Sequence, residues 1–209
     1  MEQADNLKNL KGITHGFYNA SDSKTVQNPM LLTQVHGADV LEIDSVCTDL
    51  PRADAWVTNK RGLNLTIKTA DCAPVLLADD VNGVIAAAHA GWKGAFQGVI
   101  ENTLLAMLRL GAQVEHIKVA VGPCLHMENF EVGADMKALF AVSEHIFFKM
   151  LNGKEHFDFV AYLRHRLKRM GLKNICFIDV DTYKNTMYNS YRRDRSNPGR
   201  QYSVISLSN

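Results

Sequence analysis

A chain of 209 residues, 46% hydrophobic and 22% charged, has ordinary globular composition and is long enough to bury a core of its own. With 23 Lys and Arg against 22 Asp and Glu, the net charge of +1 removes any reason to expect nucleic acid or a membrane surface as a partner through bulk charge. The start, MEQADNLKNLKG, lacks the apolar stretch of a signal peptide, the longest apolar run (Val84 to Ala88) is too short for a bilayer, and four dispersed cysteines without a CxxC pair point to a reducing cytoplasm.

The polar stretch from Asn19 to Pro29 reads as a loop. Leu31–Val35 and Val40–Ile43 read as extended segments around a bend at His36-Gly37, where Gly37 is free to take a positive φ. Leu63–Lys68 alternates like a half-buried strand. Val75–Ala78 and Val84–Ala88 read as buried strands joined by a tight turn, the second ending at His89. Gly98 to Leu110 predicts a helix with Ile100, Leu104 and Leu108 on one face and Gly111 at its end. Ile117–Val121 predicts a strand running into Gly122-Pro123-Cys124. Asp158 to Met170 predicts a second helix, capped by Asp158 and ended by Gly171, with Arg164, Arg166, Lys168 and Arg169 on its wet face. Ile175–Val180 and Tyr202–Leu207 complete the strands. Strands outnumber helices and do not alternate regularly with them, so the expected fold is α+β, a layered sandwich of mixed sheets flanked by helices, formed by residues 1–209 as one domain.

Three segments carry potential chemistry: Thr33-Gln-Val-His-Gly37, Thr69-Ala-Asp-Cys-Ala-Pro74 and Ala88-His-Ala-Gly-Trp-Lys-Gly94. Each sets one ligand type beside small residues at the rim of an apolar strand. Two imidazoles and one thiolate, His36, Cys72 and His89, match catalytic zinc with its fourth position open. Taken singly, each has a plainer reading as an inert core thiol or a structural histidine. Their separations match no local metal motif. Asp71 beside Cys72 is a candidate proton shuttle, and Cys124 could line the pocket or supply a fourth ligand. The segment Tyr188 to Arg200 gathers four arginines, which suit phosphate or carboxylate, or simply a solvated loop.

Taken together, these pieces resemble the laccase-domain family, also named multicopper polyphenol oxidase and described as purine nucleoside phosphorylases or as peptidoglycan editing factors. The resemblance rests on His15-Gly-Phe17, Gln34-Val-His-Gly37, Thr69-Ala-Asp-Cys-Ala-Pro74, Ala88-His-Ala-Gly-Trp-Lys-Gly94, Gly122-Pro-Cys124, Phe130-Glu-Val-Gly133 and Ser190-Tyr-Arg-Arg-Asp194, in the family's order over nearly the whole chain. It departs where only Tyr18 to Thr33 separates the first two motifs, where family members carry a longer segment, and where Asp181-Thr182 stands for the usual Cys-Thr. The resemblance implies a fold like cysteine hydrolases of the cytotoxic-necrotizing-factor type, and a metal on His36, Cys72 and His89, zinc or alternatively copper. It implies catalytic roles for Cys72, His89 and Asp71, and a substrate pocket with Lys93, Tyr191, Arg192 and Arg193. The implied activity is phosphorolysis of purine nucleosides such as adenosine, inosine or methylthioadenosine, with adenosine deaminase side activity. A peptidoglycan-precursor editing hydrolase is the alternative.

Other mechanisms stand beside it. Cys72 as nucleophile with His89 as base needs no metal. A coupled multicopper centre calls for about ten histidines, largely in His-x-His pairs; eight are present and no such pair, so oxidase chemistry is disfavoured. A non-catalytic module with a structural zinc would need a fourth protein ligand.

Overall fold

The computed structural model describes residues 1–196 and 198–208. In chain order the elements are α1 (Asp5–Lys8), β1 (Ile13–Phe17), β2 (Val40–Glu42), β3 (Ala55–Thr58), β4 (Leu65–Thr69), β5 (Ala73–Asp79), β6 (Val84–Ala90), α2 (Trp92–Gln97), α3 (Val99–Arg109), β7 (Lys118–Val121), α4 (Ala134–Lys137), β8 (Phe148–Leu151), β9 (Lys154–Phe157), α5 (Phe159–Arg169), β10 (Asn174–Phe177) and β11 (Gln201–Leu207). Six strands form a mixed sheet in the order β10-β7-β5-β6-β3-β2. It is parallel at its two ends and antiparallel between them. A second sheet, β1-β11-β4, is wholly antiparallel, and β8 with β9 makes a hairpin.

The apolar runs explain the layering. Every residue of β5 and β6 is buried, and the two-residue period of a strand divides them between two cores. Val75 and Leu77, with Ala86 and Ala88, pack against Val99 and Leu104 of α3 and Leu163 of α5. Leu76 and Ala78, with Ile85 and Ala87, pack against Leu65, Ile67 and Ile205 of the second sheet. An uninterrupted apolar strand is therefore one covered on both faces. The fold is α+β in three layers: small sheet, large sheet, helices.

Both expected helices form where their periodicity places them. Asp158 caps α5 by accepting a hydrogen bond from the Ala161 amide at 3.0 Å. β4 differs from its expected half-burial. It is nearly all buried because the large sheet covers it, and Thr66 meets that burial by donating to the Asn64 carbonyl at 3.0 Å. Leu31–Val35 forms no continuous strand, only isolated bridges of Met30 with Leu65 and Thr33 with Arg52. β10 ends at Phe177, short of the expected Val180.

Two of the sequence motifs are packing devices. A Cβ on Gly122 would come within 2.2 Å of the Phe17 ring, so the glycine lets β1 close onto the turn after β7. His15 is buried, accepts the Ala4 amide at 2.8 Å on Nε2, and is pushed by burial below the usual histidine range, which keeps it neutral. Among the described residues no helix is long and apolar enough to cross a membrane.

Candidate metal centre

The alternation that splits β6 between two cores also aims His89. It follows Ile85 and Ala87 on the face toward the small sheet, at the strand's end opposite Pro74 of β5. Cys72 immediately precedes β5, after Asp71 in a left-handed conformation (φ +85°). His36 sits in the turn before β2, also left-handed (φ +59°). Non-glycine residues rarely hold this region unless surroundings fix them. Here two of them flank or form the same cluster, in which one ligand atom each from His36, Cys72 and His89 lies within 4.8 Å of the others.

Asp54 fixes the His36 turn. This carboxylate is fully buried just before β3 and accepts the amides of Val35 (3.2 Å), His36 (3.0 Å) and Gly37 (2.7 Å). It also accepts the His89 ring Nδ1 at 2.8 Å, while the His89 amide donates to the Asp54 carbonyl at 2.7 Å. Burial opposes its charge, but the bonds from His89 and the amides outweigh it and hold the carboxyl below the usual range. An ionised acceptor on Nδ1 fixes the proton there and leaves His89 Nε2 as the ligand atom. Asp54 leaves little sign in the sequence. The only signal was a lone carboxylate directly before the apolar run Ala55-Trp-Val57.

Close approach explains the glycines of the third motif. A Cβ on Gly91 would lie 2.9 Å from His36 Nδ1 and 3.1 Å from Cys72 Sγ, and one on Gly94 2.6 Å from the Gly37 carbonyl. Only glycine lets α2 begin against the two ligands. Gln34 ties the same turn to β4, its amide donating to the Lys68 carbonyl (2.7 Å) and accepting the Lys68 amide (2.8 Å).

Burial would raise the Cys72 thiol, but hydrogen bonds and charge from His36 and His89 bring it down to about 6, a thiolate at neutral pH. Burial would lower His89, yet Asp54 and Cys72 carry it up to about 9. The donor set suits zinc: one thiolate and two imidazoles, with bond lengths of about 2.0–2.3 Å placing ligand atoms roughly 3.5 Å apart, within the cluster's spread. Cys124 is outside the cluster. Burial first, then the charges of Asp181, Cys72 and Asp71, push its thiol far up.

The cluster opens into a cavity of about 900 Å³, lined also by Trp92, Phe130, Phe159 and Tyr191. Lys93, Asp71 and Arg192 line it as well. Asp71 accepts the Thr182 hydroxyl at 2.7 Å and the Arg192 amide at 2.6 Å, one on each oxygen. These bonds brace two loops against Asp71 and engage each of its oxygens once. The Arg192 guanidinium donates to the Asn129 and Glu131 carbonyls. Arg193, expected at the substrate, is not in the cavity wall. Its guanidinium binds the carbonyls of Thr182, Tyr183 and Tyr188 and the Asp194 carboxylate. Arg195, Arg200 and Lys68 line the wall instead.

Residues 5–208 match the family described as multi-copper polyphenol oxidoreductase laccase, and the chain belongs to that family. It is 41% identical over 168 residues to a purine nucleoside phosphorylase of Streptomyces coelicolor, covering 79% of this chain and 69% of that protein. It is 32% identical over 173 residues to an adenosine deaminase from an unknown prokaryotic organism, covering 79% of this chain and 66% of that protein. The crystal structure of a Neisseria meningitidis protein of the DUF152 family superposes with a TM-score of 0.80 at 31% identity, covering 90% of this chain and 78% of that one.

Proposed function

We propose that this protein is a metal-dependent purine nucleoside phosphorylase, with adenosine deaminase as a side activity and residues 1–209 as one catalytic domain. The observation that carries the reading is the cluster of His36, Cys72 and His89 at the floor of a cavity walled by aromatic and cationic side chains. The relatives named as purine nucleoside phosphorylases support it. His36, Cys72 and His89 would hold zinc, which when bound supplies a Lewis acid and an activated water at its open position. Copper is the alternative metal. A coupled multicopper centre finds too few imidazoles in the cluster, so oxidase chemistry is not proposed.

The chain's own residues do the rest. Trp92, Phe130 and Tyr191 offer flat apolar faces to a purine. Lys93, in the first turn of α2, supplies a cation to the attacking phosphate. Asp71 acts by position, holding the loops of Thr182 and Arg192 that close one side of the cavity. Chromatography of adenosine and inosine with and without phosphate, on protein of measured metal content, tests the reading. Phosphate-dependent release of free base is expected, and its absence with metal bound contradicts it.

A second reading has its own observation. A thiol held near 6 beside an imidazole near 9 rests as a thiolate–imidazolium pair, the form a cysteine nucleophile takes with its histidine partner. A hydrolase of that type, such as a precursor-editing amidase, keeps its activity after chelation. The metal enzyme loses it.

A further inference from the structure

The cavity carries more positive charge than a transferred phosphate can use. Lys68, Lys93, Arg195 and Arg200 line it, and among the described residues none of the four forms an ion pair. The acidic side chain in the wall, Asp71, has both oxygens engaged by Thr182 and the Arg192 amide. The whole chain sums to only +1, so this positive charge is local to the cavity and the rest of the chain is net negative. Like charges gathered around a partly enclosed space repel one another and raise the local potential for anions.

The four cations come from two places. Lys93 opens α2, directly after the strand that carries His89. Of the other three, two flank the pairing of β4 with β11. Lys68 lies on β4, its backbone clamped by Gln34, and Arg200 adjoins Gln201, which pairs with Thr69 beside Lys68. Arg195 lies on the loop before β11. A phosphate dianion brings a charge of roughly −1.5 to −2, which Lys93 and the centre beside it can meet. A neutral nucleoside would leave the other three facing nothing.

We propose that the substrate is a purine nucleoside carrying its own 5′-phosphate, met by Lys68, Arg195 and Arg200 while Lys93 faces the attacking phosphate. This rests on the phosphorylase reading. An oxygen of inorganic phosphate bonds to C1′ as the C1′–N9 bond breaks. The electron pair leaves on the purine nitrogen, which takes up a proton, and the products are free purine and ribose 1,5-bisphosphate.

The test compares adenosine with adenosine 5′-monophosphate in phosphate-dependent base release. It uses the wild type, the Arg195→Ala/Arg200→Ala variant and the charge-keeping Arg195→Lys/Arg200→Lys variant. Calorimetry of both ligands without inorganic phosphate accompanies it. The expected kcat/KM for the monophosphate exceeds that for adenosine at least tenfold. The alanine variant should lose that preference by about tenfold or more, and the lysine variant should recover part of it, which a misfolded loop would not. Added salt should raise KM for the monophosphate more than for adenosine. If both are cleaved with no preference for the monophosphate, this proposal is overturned and the phosphorylase reading stands. If neither is cleaved but the monophosphate binds and the alanine variant abolishes that binding, the anion site stands and the phosphorylase reading falls. Absence of both cleavage and binding overturns both.

Discussion

Asp54 shows how much of a candidate metal site can rest on a residue outside its ligand set. One buried carboxylate holds the His36 turn through three amides and the His89 ring through Nδ1. Asp54→Asn keeps the size but puts an NH₂ group among four donors. Zinc affinity measured by competition with a chelator should fall roughly 10- to 100-fold, as for other partners of metal-bound histidines. An unchanged affinity would remove Asp54 from the centre. Gly91 makes a sterically sharper case. A methyl there would meet His36 and Cys72, so Gly91→Ala should lose bound metal while its far-UV circular dichroism stays that of the wild type. Full metal retention would show that the ligands can yield. The candidate ligands stand out in the sequence because each lies among small residues beside an apolar strand. Asp54 does not, since its partners, Val35 to Gly37 and His89, lie far from it in the chain.

Elements were legible in proportion to their periodicity. α3 and α5 repeat apolar residues over several turns, and β5 and β6 are unbroken apolar runs, so all four fall close to their expected places. The β8–β9 hairpin carries Lys149, Lys154, Glu155 and His156 among its eight residues, so no apolar period stands out there. α2 was hidden by its glycines, whose place in a helix start is set by contact with His36 and Cys72. The arginine segment was visible as composition only. Which arginines brace carbonyls and which face the cavity depends on the path of the loop, so Arg193 was expected where Arg195 and Arg200 stand.

The turn from β5 to β6 gives a pH prediction at this scale. Buried Asp79 accepts the amides of Val81, Asn82 and Gln113 and the Asn82 side chain. Burial works against its charge, but these bonds outweigh it and hold the carboxyl below its ordinary 3.8. Because the folded value is the lower one, the unfolded chain binds the proton more readily. Asp79 therefore stabilises fully above pH 3.8, and that contribution disappears as pH falls through the depressed value. Asp79→Asn should cost about 1–3 kcal/mol in urea unfolding at pH 7, with the gap from wild type closing in acid. A gap that is constant with pH would contradict this.

At the scale of the whole molecule, the centre is separate from what holds the fold together. The two cores lie between the sheets and under the helices, and Cys124, the fourth ligand a closed structural site would need, is packed in the core outside the cluster. Removing the metal should leave a cooperative thermal transition with the melting temperature lowered by a few degrees. Unfolding on chelation would instead support a structural zinc. The layered architecture and its class followed from the strand-rich pattern, whereas the pairing of β1 and β11 into a second sheet with β4 joins the two ends of the described chain and left no local sign.

The proposed function rests on one centre of His36, Cys72 and His89 that holds a metal and serves phosphorolysis. The most direct measurement is metal content together with phosphate-dependent base release from adenosine and inosine, in the wild type and in Cys72→Ala. About one zinc per chain is expected in the wild type, as for a three-ligand site, with both the metal and the phosphate-dependent activity lost in the variant. Phosphate-dependent activity that survives in Cys72→Ala, or a wild type that binds zinc yet releases no base, would contradict the proposed function.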